Sequence, residues 1–193
     1  MHERILIAGS GGQGVISLGK LLARLASKTI AHVTFFPAYG AEVRGGTSNC
    51  QVILSANEIA APIAEIFDSI MIMNQQSAEH FISALDKNGV GIINQSLCKV
   101  HADSRHVLVP ATEIADRLGN AKAANFVMLG AWLARKPLIP ASAVENAMAS
   151  HFPGAPAALI DINIQAFRAG RDHASNAAGP AAAAAARRKE RKA

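Results

Sequence analysis

The chain has 193 residues, half of them apolar and 17% charged, enough for one sizeable core and too hydrophobic for disorder over most of its length. The formal net charge is +5, but the last seven residues, Arg187 to Ala193, hold five basic residues and one acid, so four of those charges sit there. A nearly neutral body excludes a broad nucleic-acid footprint, and no apolar run reaches the ~20 residues a membrane helix needs. Met1-His2-Glu3-Arg4 leads straight into a strand with no basic-then-apolar leader, so a cytoplasmic protein is expected. Cys50 and Cys98 stand far apart in no C-x-x-C pair. That argues against a disulfide framework, a zinc site or an iron–sulfur cluster within this chain, and both thiols are expected to be small buried groups.

In chain order, Ile5 to Ala8 is a short apolar run that meets Gly9, Gly11, Gly12 and Gly14, after which the pattern turns helical. Gly9, Gly11 and Gly14 fit the spacing G-x-G-x-x-G of a strand–turn–helix that cradles phosphate. The first glycine serves a tight turn, the second lets backbone approach a ligand, and the third lets helix pack on strand. The same spacing also serves a close strand–helix corner with no ligand. From Val15 to Ser27, Leu18, Leu21, Leu22 and Leu25 fall on one helical face. His32 to Phe36 reads as a second strand, ended by Pro37, and Thr47 to Leu54 as a third. No helix separates these two strands, so they pair antiparallel or the sheet is mixed. If strands one and two are parallel neighbours, the loop Ala38 to Gly46 between strands two and three sits beside the glycine turn.

Ala60 to Phe67 reads as a short helix or loop, Ser69 to Met73 as a buried parallel strand, and Ser77 to Leu85 as a helix. Lys87-Asn88-Gly89 reads as a turn before a strand at Val90 to Asn94, and His106 to Val109 as a last short strand. Thr112 opens a helix; further helices are expected over 121–134, 141–151 and 157–169. The fold class is α/β: a three-layer, Rossmann-like, mixed but mostly parallel sheet with helices on both faces and a helical C-terminal third. One domain is expected over 1–172. Residues 173–193 form an Ala-rich basic tail, expected to be mobile.

No acid–base or nucleophilic set emerges. His2, His32, His80, His101, His106, His151 and His173 are scattered with no ligand spacing, and neither a G-x-S-x-G elbow nor a Walker lysine is present. A dinucleotide site also calls for an acid about 20 residues past the glycines, where this chain has Phe35, Phe36 and Pro37. Arg44 invites two readings, a bidentate clamp on a carboxylate or phosphate, or an interface anchor. Gly45 and Gly46 leave backbone open beside it, and Tyr39 suits an interface.

Taken together, GSGGQGV at 9–15, YGAEVRGGTSNC at 39–50 and AANFVMLGAW at 123–132 resemble the gamma subunit of 2-oxoacid:acceptor oxidoreductases, the enzymes acting on pyruvate, 2-oxoglutarate, branched or aryl 2-oxoacids. The resemblance covers residues 3–170. It implies a non-autonomous subunit of a complex that decarboxylates a 2-oxoacid on thiamine diphosphate with magnesium. Electrons then pass through iron–sulfur clusters to ferredoxin or NAD, and the acyl group is given to coenzyme A. Those cofactors would lie on alpha, beta and ferredoxin-like partner subunits, with no catalytic residue and no metal in this chain. Carried onto this sequence, Gly9, Gly11, Gly12, Gln13, Gly14, Arg44, Gly45 and Gly46 would contact coenzyme A, and Tyr39, Gly40 and Asn125 a partner. A ligand-free assembly module, a free-standing NAD oxidoreductase and a nucleic-acid-binding tail are the competing readings.

Overall fold

Ile5, Leu6, Ile7 and Ala8 are inaccessible to solvent and form the middle of the first strand, β1 (His2–Ser10). A strand buried on both faces lies inside a sheet. β1 pairs antiparallel with β3 (Thr47–Ser55) on one side and parallel with β4 (Phe67–Ile72) on the other. The computed structural model describes residues 1–39 and 47–177. Within them the sheet has six strands in the order β2-β3-β1-β4-β5-β6, where β2 is His32–Tyr39, β5 Leu85–Asn94 and β6 His106–Val109. β1, β4, β5 and β6 are parallel, and β3 runs against both its neighbours. The sheet is therefore mixed and mostly parallel.

β2 and β3 form an antiparallel pair. β3 lies between β1 and β2, so these two strands point the same way without touching. The condition of direct neighbourhood is not met, yet the carboxyl ends of β1 and β2 still share one rim. Pro37 does not end β2; it pairs with Cys50 inside the strand. An edge strand tolerates proline because its missing N–H faces outward, and β2 is an edge.

The two faces are covered unequally. One carries α1 (Val15–Ala26), α3 (Ala111–Arg117), α4 (Ala124–Arg135), α5 (Ala141–His151) and α6 (Ala157–Ala177), whose apolar residues share one core. The other carries α2 (Gln75–Phe81) over a smaller cluster around Leu6, Ile70, Ile72 and Ile93. α1 buries Leu18, Leu21, Leu22 and Leu25, as their spacing predicts. Truncating any one to alanine is expected to cost about 2–5 kcal/mol. α4 is buried at every residue from Ala124 to Leu133, because α6 covers the side turned away from the sheet. Gly130 and Gly170 let the two helices meet backbone to backbone. A Cβ on Gly130 would lie 1.9 Å from the Phe167 carbonyl, and one on Gly170 1.9 Å from that of Val127.

Other boundaries move for identifiable reasons. The segment before Phe67 forms no helix, and Gln51 Oε1 accepts from the Ala64 amide at 2.8 Å to hold it. Lys87-Asn88-Gly89 is a kink within β5 rather than a turn before it. Four β5 residues, Asp86 to Gly89, stand against Asp68 alone of β4 there, and Asp86 Oδ1 accepts from the Asn88 amide at 2.9 Å. The helix expected over 121–134 starts as a 3-10 turn, Ala121–Ala123, before α4. α6 runs on from Ala169 to Ala177. Phe167, Gly170 and Ala174 continue one buried face, and the His173 ring contacts the Leu108 carbonyl at 3.0 Å.

At the amino end of the sheet, Glu3 is 7% exposed yet fully engaged. Ser69 Oγ donates to its Oε1 at 2.6 Å and Lys136 Nζ to its Oε2 at 3.1 Å. Burying a carboxylate without such partners is costly.

Candidate functional site

The glycine turn stands at the carboxyl rim, between β1 and α1. Gln13 builds it: its amide N–H donates to Ser10 O at 3.1 Å, and its Oε1 accepts from Ser10 N at 2.8 Å. Its Nε2 donates to Met73 O at 3.5 Å. The Gln13 side chain therefore closes the turn against the end of β4 and is itself engaged within it.

Gly9 and Gly14 serve different ends from those their spacing suggests. Gly9 is a packing position, where a Cβ would come within 2.9 Å of Gln13, Met73 and Val15 side chains. Among the described residues, nothing lies within 4 Å of a Cβ added at Gly11. Gly12 and Gly14 make the turn, with φ of 92° and 74°, in the left-handed region that penalises side chains. Close packing of helix on strand falls to Gly19, outside the motif, where a Cβ would sit 2.3 Å from Cys50 Sγ.

Around the turn the strand ends are tied by amides. The Asn74 amide nitrogen donates to Ser10 Oγ, and its Oδ1 caps α2 by accepting from Ser77 N at 2.9 Å. Ser77 Oγ donates to Gly9 O at 3.4 Å. Asn94 is fully buried; its Nδ2 donates to Met73 O at 3.1 Å and Thr112 Oγ1 at 2.9 Å. Its Oδ1 accepts from the amides of Ala111 and Thr112 at 3.2 and 3.4 Å, so it caps α3. The sequence signal for this network was an asparagine closing or following each of two apolar strands.

α1 begins with no side-chain cap and no acid in its first turn. Its first amides and dipole present positive potential at the rim. Asn125, expected at an interface, is 5% exposed in the first turn of α4. Its Nδ2 donates to Gly14 O at 3.5 Å, and its buried Oδ1 has no partner among the described residues. Tyr39 ends β2 opposite Ser48, and Thr47 stands opposite Ser10. Both anchors of the connection 40–46 thus stand on the rim of the glycine turn. Gly40, Arg44, Gly45 and Gly46 lie outside the described residues.

Sequence reasoning missed one pair. Ser17 Oγ and His151 Nε2 are 2.8 Å apart, joining α1 to α5. Burial, with the charges of Arg24 and Lys20, holds the His151 pKa below the ordinary imidazole value. Positions 134 residues apart leave no sequence signal. Burial pushes the Cys50 thiol up to about 12 and Cys98 to about 11, so both are protonated at neutral pH. Among the described residues no group of three or more His, Cys, Asp or Glu is placed to hold a metal. No helix among them is long and apolar enough to cross a membrane.

A family model described as pyruvate ferredoxin/flavodoxin oxidoreductase matches residues 4–173, and the chain belongs to that family. Within it the chain is gamma-subunit-like. It is 31% identical over 183 residues to the 2-oxoglutarate synthase subunit KorC of Methanothermobacter thermautotrophicus, covering 89% of this chain and 95% of KorC. To the ketoisovalerate oxidoreductase subunit VorA of the same organism it is 35% identical over 173 residues. That match covers 89% of this chain but 36% of VorA, so the chain spans about a third of that relative's length. The crystal structure of the keto/oxoacid ferredoxin oxidoreductase gamma subunit from Geobacter sulfurreducens PCA superposes with a TM-score of 0.74 at 27% identity, covering 89% of this chain and 98% of that one.

Proposed function

We propose that this chain is the gamma subunit of a multi-subunit 2-oxoacid:acceptor oxidoreductase forming an acyl-CoA. Thiamine diphosphate, magnesium and iron–sulfur clusters are held by alpha, beta and ferredoxin-like partners, and the reactive chemistry is theirs. This chain supplies a docking surface and a backbone cradle at the carboxyl rim of its sheet. The observation that carries the reading is the uncapped start of α1, reached over the open Gly11 and sharing its rim with Tyr39 and Thr47. A phosphate group of coenzyme A suits that position, since free helix amides and the dipole favour anions. Arg44, Gly45 and Gly46 complete the proposed contact.

The test is co-purification from the native source, followed by kinetics of the complex. No described residue lies within 4 Å of a Cβ at Gly11, so Gly11→Val is expected to keep the melting temperature of the chain. The KM for coenzyme A rises about tenfold, equivalent to ~1.4 kcal/mol of lost binding. Unchanged kinetics in both Gly11→Val and Arg44→Ala complexes remove coenzyme A from this rim and leave a ligand-free assembly subunit. That second reading draws on the Gln13 side chain, which is fully engaged inside the turn. Nicotinamide-linked turnover by the isolated chain would overturn both.

A further inference from the structure

We infer that the groove between α1 and α5 receives an acidic helix of a partner polypeptide, an inference that rests on the chain working inside a complex. Lys20 and Arg24 lie four residues apart on α1, Lys28 follows in the turn just past its end, and all three are exposed. The spacing puts Lys20 and Arg24 on one side of the helix, and Lys28 lines the same groove as Arg24. No ion pair among the described residues involves any of them. Beside them lies a groove of about 400 Å³ lined by Arg24, Lys28, Ala143, Asn146, Ala147 and Ser150.

Among the described residues no carboxylate lines this groove. Glu145, on the same helix α5, is turned to Arg168 of α6 at 2.6 Å and does not neutralise it. Arg24 Nη2 lies 3.4 Å from Ser150 Oγ, which seats the guanidinium against α5. Arg24, Lys28 and Asn146 can donate hydrogen bonds, Ser150 Oγ already donates to Ala147 O at 3.0 Å, and two alanine methyls leave room for close approach.

The length of the charged row selects the occupant. From Lys20 to the turn holding Lys28 the chain covers on the order of 10 Å, too long for one phosphate group. The row matches carboxylates at i, i+4 and i+8 of a facing helix. Complementary rows of this kind select the partner and its register more than they add affinity. α1 starts at the glycine turn, and Arg24 lies about 15 Å along its axis. A helix docked here leaves the carboxyl rim accessible.

The experiment is zero-length carbodiimide cross-linking of the native complex, read by mass spectrometry. Lys20 and Lys28 are expected to form amide bonds to Asp or Glu of a co-purified subunit, and to resist acetylation in the complex but not in the free chain. The variant Lys20→Gln/Arg24→Gln/Lys28→Gln is expected to keep the melting temperature of the free chain. It should need about tenfold more partner for half-assembly at 0.15 M salt, with less difference at 0.5 M. Lysines fully acetylated in an intact complex, or normal assembly by the triple variant, overturn the inference and leave the subunit role standing. Cross-links to phosphate-bearing molecules rather than carboxylates also overturn it. Failure to recover any partner overturns both.

Discussion

Gly14 joins two constraints at one residue. Its φ of 74° disfavours any side chain, and a Cβ would meet the Asn125 amide at 2.3 Å. Gly14→Ala is expected to destabilise the chain by about 1–3 kcal/mol in chemical denaturation. Adding Asn125→Ala removes the collision but not the backbone strain. The double variant should therefore be less destabilised than the two single effects summed; strict additivity would show that Asn125 does not press on the turn. That four glycines make a corner is legible in the sequence. Which one packs, which opens and which turns is not, because Asn125 and Met73 are distant in the chain and close only in the fold. The same limit hid Gly19, whose partner Cys50 lies on the inserted strand.

At the scale of elements, the contact between α4 and α6 is the tightest packing on the helical face. Gly130→Ala directs a methyl into the Phe167 carbonyl and Gly170→Ala into that of Val127. Neither backbone can rotate away as a side chain would, so each substitution should cost about 3 kcal/mol or more, measured by urea unfolding. A loss below ~1 kcal/mol would mean the helices slide apart freely. Elements with a strong apolar period, such as β1, β4 and α1, were legible from their residues alone. Elements broken by polar or cyclic residues were not. Lys87 to Gly89 hid the start of β5, and Arg171 to His173 hid the last turns of α6. In both, tertiary contact overrides the local pattern: β4 pairs beyond the kink, and β6 accepts His173.

For the whole molecule, two half-buried histidines set the response to mild acid. His151 and His106 both have pKa values lowered chiefly by burial; Asp103 partly offsets this for His106. The unfolded chain then binds protons more readily than the folded one near pH 6.5, so stability is full above that value and falls as pH drops through the folded-state values. His151→Gln should flatten part of the stability–pH slope between about pH 7 and 5, with the His106 share remaining. An unchanged slope would assign the effect to His106 alone. Asp68, drawn down by Arg4, and Glu145, drawn down by Arg168, act in the same direction in the lower carboxylate range.

Pro37 in the outermost strand bears on how this chain behaves before it meets its partners. A sheet edge with a continuous row of free amides templates unwanted pairing with other chains. Here one edge is interrupted by a proline and the other, β6, is four residues long. Pro37→Val would restore a continuous donor row along β2, and light scattering of the concentrated variant is expected to reveal edge-to-edge oligomers absent from the parent. Such oligomers would show that the proline guards the β2 edge of the free chain against its own copies.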